Sequence, residues 1–255
     1  MSAKKDRGKI KPGHPFYDLI DEAYRVFKYP TPQTTGVCDC CMYPEIEKDF
    51  FNPPIRDLPF HYLRDWYFAA CNPGSLQKSV WAYLLPRVLE ALAAGGEDPA
   101  SVGLEVTLYR YPTGDRGNWS DAEWSVLDRF QRAYLDRAMR EGEEYLDDTL
   151  CMFGLGGWPL DDLFEQVNAF PDEVIVERFW HDWCKHCRPG RESIWITAFW
   201  ESPGNSEAFS FYTSKALYNR VETFALDDTT PPELSEKAAA VGSVILSNAD
   251  WVQSE

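Results

Sequence analysis

Histidine is scarce, four in 255 residues, which leaves little imidazole for acid–base or metal chemistry. The chain has no G-x-S-x-G, no H-E-x-x-H and no phosphate-binding glycine loop, so the usual marks of serine hydrolases, zinc proteases and P-loop enzymes are missing. Positive charge is short as well. Twenty-five Lys and Arg stand against 41 Asp and Glu, a formal net charge of −16. That balance repels phosphate backbones and anionic membranes, so neither nucleic acid nor a membrane is expected as a partner. A basic protein is the electrostatic complement. No apolar run approaches the roughly 20 residues of a membrane span. Lys4, Lys5, Arg7, Lys9 and Lys11 crowd the start, but no apolar segment follows them. No secretory signal is read there, and a cytoplasmic setting with reduced thiols is expected. Seven cysteines is an odd number, so a complete disulfide framework would leave one over.

Apolar residues make up 44% of the chain and aromatics 15%, enough to fill a sizeable core. Residues 1–15 are basic and rich in Gly and Pro and read as a flexible arm. Residues 16–255 read as a single all-helical domain. Phe16, Leu19, Ile20, Ala23 and Phe27 share one face of a helix over 16–29, closed by Pro30 and Pro32. Further helices are expected over 44–51, 59–71 and 75–94, the last with Pro86 inside it. Residues 104–111 read as either helix or strand. Ser120 and Glu123 form a capping box that opens a long helix to about 141. Helices over 145–153, 160–169, 172–186, 191–201, 205–226 and 232–248 complete the series. The expected fold is all-α, with stacked antiparallel helices in an irregular helical array or a HEAT/TPR-like α-solenoid.

Four segments carry a resemblance. Tyr29-Pro30, Cys38-x-Cys40-Cys41-x-x-Pro44-Glu45, Leu84-Leu85-Pro86-Arg87-Val88-Leu89-Glu90 and Trp119-x-x-x-Glu123-Trp124 resemble a group of uncharacterised bacterial all-helical proteins with an N-terminal Cys-x-Cys-Cys type motif. The resemblance covers about the first 140 residues. It implies an α-helical fold and carries no activity with it.

Two clusters hold the reactive side chains. Cys38, Cys40 and Cys41 follow a Pro/Thr/Gly-rich turn; His181, Cys184 and Cys187 recur three apart near the end of an expected helix, with His186 beside them. Thiolates suit tetrahedral Zn²⁺, and ligands from both clusters would complete four. The competing reading is that these cysteines pack as small apolar residues, as Cys71 and Cys151 do in apolar helical contexts. A redox role for Cys40 or Cys41 near a helix start is opposed by Asp39, Glu45 and Glu47. His14 and His61 read as surface or core. Asp147-Asp148 and Asp161-Asp162 read as acids at helix starts, and Asp227-Asp228 as a solvated turn. Gly154-Leu155-Gly156-Gly157 reads as a helix end. Trp119, Trp124, Trp158, Trp180, Trp183, Trp195 and Trp200 read as core, and any exposed cluster among them as a partner site.

The sequence therefore points to an acidic helical scaffold that binds a protein, with an inhibitor or immunity-type role against a basic toxin as one concrete form. The alternative is a zinc-binding or thiol-dependent protein, an enzyme included, built on the two cysteine clusters.

Overall fold

Proline supplies many of the helix starts. The computed structural model describes residues 8–38, 41–42, 44–71, 76–187 and 192–251. In it Pro59, Pro159, Pro171 and Pro231 sit at the N-caps of four helices, where the missing N–H costs nothing and the fixed φ favours entry. All regular structure among the described residues is helical. No helix there is long and apolar enough to cross a membrane. The chain divides into two compact units, residues 1–134 with 155–157 and residues 135–154 with 158–255.

The first unit contains α1 (Tyr17–Val26), α2 (Pro44–Phe50), α3 (Phe60–Phe68) and α4 (Lys78–Ala94), with α1 packed on α4. Every residue of α4 from Val80 to Ala93 is buried. Apart from Arg87 and Glu90, that stretch is apolar around the helix, which is the pattern of a central helix rather than a surface one. Pro86 lies inside without ending it. Gly95, with φ of +66°, caps its C-terminus in a backbone conformation that glycine adopts without strain. Trp66 and Trp81 stack with centroids 6.0 Å apart. Their indole nitrogens donate to Thr35 O at 3.0 Å and Thr113 Oγ1 at 2.9 Å. The segment read as an arm is described from Gly8 onward, and there it is tied to α4 through Lys9 and Ile10.

α5 (Asp121–Glu141) begins at the capping box, and the boundary between the units falls within it. Glu123 Oε2 accepts from Ser120 N and Ser120 Oγ, both at 2.8 Å.

The second unit contains α6 (Leu146–Leu155), α7 (Leu160–Asn168), α8 (Asp172–Trp183), α9 (Gly204–Tyr212), α10 (Lys215–Leu226) and α11 (Pro232–Asn248). α11 packs on α8 and α10, and α7 packs on α9. Phe179 and Trp183 stack at 4.4 Å, with Tyr212 edge-on to both. Gly204 leaves room for the Trp200 ring, which an added Cβ would meet at 2.9 Å.

Four expectations are corrected. Residues 192–197 carry no regular secondary structure and 198–199 turn, where a helix was expected over 191–201. Residues 205–226 form two helices, because Ser214 caps the second by accepting from Leu217 N at 3.2 Å. Residues 104–111 hold a single 3₁₀ turn, Leu104–Val106. α8 stops at Trp183, so the helical spacing of His181, Cys184 and Cys187 does not extend through Cys187.

Candidate functional site

In the first unit, charge converges on Glu90. Its chain position on α4 buries the carboxylate, yet the group is well supplied with donors. Oε2 accepts from Tyr24 Oη at 2.8 Å and Lys9 Nζ at 3.0 Å, and lies 3.4 Å from an Arg87 guanidinium nitrogen. Oε1 accepts from Ile10 N at 3.4 Å. Arg87 is fully buried; its Nε donates to Leu58 O at 2.9 Å and another nitrogen to Gly8 O. Lys9 Nζ also donates to Arg56 O. The Arg56 guanidinium lies 4.5 Å over the Tyr24 ring and bonds Asp21 Oδ1 at 2.7 Å.

Lys9, Ile10, Asp21, Tyr24, Arg56 and Glu90 line a cavity of about 520 Å³, to which Lys11, Tyr17, Asp57 and Pro59 contribute. That size suits a small ligand. Burial pulls the Lys9 ammonium below its usual range, and the Arg87 charge adds to this while Glu90 opposes it. Burial and the Glu90 charge push the Tyr24 phenol well above its ordinary value. The lining side chains hold one another in place. Charged and phenolic groups line the cavity, a surface that suits a small polar molecule.

No protein-family model, curated protein or solved structure matches the chain.

The candidate metal ligands fall in both units. In the first, Cys38 N donates to Ala70 O at 2.8 Å, and Cys38 O accepts from Cys41 N and Met42 N at 3.0 Å. Cys71 follows Ala70 directly, and its Sγ contacts Gly36 O at 3.8 Å. Cys71 is half-buried and lies beyond the end of α3, which corrects its assignment to an apolar helix; Cys151 is fully buried as expected. Cys41 is exposed, and Cys40 lies outside the described residues. In the second unit, Cys184 and Cys187 are half-buried, and Cys187 Sγ donates to Trp183 O at 3.2 Å. Burial, helped by Glu192 and Cys187, pushes the Cys184 thiol up to about 11. His181 Nδ1 lies 2.6 Å from an Arg178 guanidinium nitrogen and 3.2 Å from Asp182 Oδ1. Among the described residues, no group of three or more His, Cys, Asp or Glu is placed to hold a metal ion.

Two anchors of the second unit escaped the sequence reading. Asp147 is buried, and its carboxylate accepts from Thr197 N at 2.7 Å, Trp200 Nε1 at 3.0 Å and Tyr212 Oη at 3.0 Å. Asp182 accepts from Leu146 N at 3.0 Å and pairs with Arg178, which also donates to Ala138 O and Gly142 O. An acid at a helix start is so common that the pair Asp147-Asp148 gives no sign of which member turns inward. Trp119, Trp158, Trp183 and Trp200 are buried as expected, whereas Trp195 is exposed.

Most of the described arginines are engaged within the chain. Arg87, Arg110 and Arg178 donate to main-chain carbonyls. Arg25 and Arg56 face Asp21, Arg129 faces Glu22, and Arg64, Arg116, Arg132, Arg140 and Arg220 each face a carboxylate.

Proposed function

We propose that the protein is an acidic helical scaffold that binds a basic protein partner. The observation that supports this is the use made of arginine. Most described arginines already have partners in the same chain, and a formal charge of −16 gives the protein a net negative field. Such a field draws in a cationic partner and speeds the encounter, at a strength set by salt. An inhibitor or immunity-type role against a basic toxin is one form of this activity, in a cytoplasmic setting.

The test is affinity capture from native extract at low salt, followed by purification of the captured protein and titration against the scaffold. A basic partner whose affinity falls steeply between low and physiological salt is the expected result. A purified partner that is acidic, or one whose affinity ignores salt, overturns the reading.

A further inference from the structure

Two exposed aromatic side chains of the second unit lie against each other. Tyr145, just ahead of α6, and Trp195, in the irregular segment 192–197, stack with centroids 4.7 Å apart and planes 21° from parallel. They are 36% and 44% exposed. Trp195 does not hang on a loose loop. Its Nε1 donates to Asp148 Oδ1 at 3.3 Å. Two residues further on, Thr197 N is bonded to the buried Asp147 carboxylate, which also holds the Trp200 indole. The indole is thus presented to solvent by a segment fixed from beneath.

We propose that Tyr145 and Trp195 form the platform on which the basic partner seats an arginine. This rests on the acidic-scaffold reading and specifies where the contact is made. The indole face is the strongest aromatic attractor of cations, and a planar guanidinium both stacks on it and sheds its weak hydration readily. Glu143 and Glu144, both exposed, immediately precede Tyr145, and Asp148 already lies at the indole edge. A guanidinium on the open indole face would therefore meet carboxylate around its margin. The stacking and the anchored segment lower the ordering cost of binding, since the rings are held before the partner arrives. A lysine fits less well, because its ammonium is compact and strongly hydrated.

The experiment uses the full chain and a short, dye-labelled, arginine-rich peptide, with a lysine peptide of equal charge for comparison, read by fluorescence anisotropy at low salt. The arginine peptide is expected to bind more tightly than the lysine peptide. Trp195→Ala is expected to weaken the arginine peptide by about two- to five-fold. Phe68→Ala removes an exposed aromatic of the first unit and is expected to change nothing. Circular dichroism checks that each variant is folded, and Trp195→Phe, which keeps a ring, is expected to retain part of the affinity. If Trp195→Ala binds like the wild type while binding remains salt-sensitive, the platform is wrong and the acidic scaffold stands. If the wild type fails to bind the arginine peptide at low salt, both fall.

Discussion

Tyr29 donates its phenolic hydrogen to Glu123 Oε1 at 2.7 Å, joining residues 94 positions apart. The same carboxylate closes the capping box of α5 through its other oxygen. One side chain thereby satisfies a helix start and holds the segment that follows α1.

This pair sets a pH window. Burial opposes ionisation of Glu123, but the bonds from Tyr29 and from the Ser120 backbone and hydroxyl outweigh it and hold the carboxyl below the ordinary 4.5. Its contribution is present above that value and lost as pH falls through the folded pKa. Burial, then the bond to Glu123, pushes the Tyr29 phenol from 10.0 up to about 12. That contribution is complete below 10 and lost as pH rises toward 12. Tyr29→Phe should cost about 1 kcal/mol at neutral pH. The gap between variant and wild type in urea unfolding should narrow at both extremes. A gap that stays constant from acid to alkali would show that the bond contributes nothing.

Glu90→Ala removes the partner of a buried arginine and of Lys9. Breaking such a pair from one side is expected to destabilise by about 3–5 kcal/mol, because the remaining charge stays buried. Urea unfolding followed by circular dichroism measures this. A loss under about 1 kcal/mol would mean that Arg87 is satisfied by Leu58 O and Gly8 O alone.

Asp147→Asn keeps the size of the side chain but gives up the charge that Thr197 N, Trp200 and Tyr212 bond to. A cost of about 2–3 kcal/mol is expected. Hydrogen exchange should quicken over residues 192–200 more than over α11. Uniform quickening throughout the second unit would instead mark Asp147 as a general support of the core.

The thiols should separate by reactivity. Cys41 is exposed and should alkylate first, while buried Cys151 should stay unmodified in the folded protein. Raising the Cys184 thiol to about 11 lowers its thiolate fraction at pH 8 by on the order of a hundred-fold against an ordinary thiol. Mass spectrometry of timed iodoacetamide reactions gives the order. Elemental analysis of the same protein, purified without chelator or metal resin, addresses zinc. The scaffold reading expects a folded, metal-free protein, whereas one equivalent of zinc lost in Cys40→Ser or Cys184→Ser would establish the alternative.

Helices with a local signature were legible in the sequence. The box Ser120–Glu123 opens α5, and Pro232 opens α11, because capping chemistry acts over a few residues. The non-helical segment 192–197 was not legible. Its conformation follows from Asp147, 50 residues earlier along the chain, which captures Thr197 N. The break at Ser214 was locally encoded but hidden by apolar residues on both sides. The cavity around Glu90 was also invisible, since Lys9, Tyr24, Arg56 and Glu90 meet only in the folded unit. The exposure of Trp195 illustrates the same limit: composition alone cannot distinguish a core indole from a presented one.

The burial of α4 on all sides has a consequence for how the first unit comes apart. A helix with one wet face can be uncovered by peeling away a single neighbour. α4 has no such face between Val80 and Ala93, and its ties reach Gly8, Tyr24, Leu58 and Thr113. Removing any one of these neighbours strands apolar or charged surface belonging to the rest. The first unit should therefore open all at once, with the amides of α4 exchanging only through that event and no half-open form lasting long enough for a protease to find.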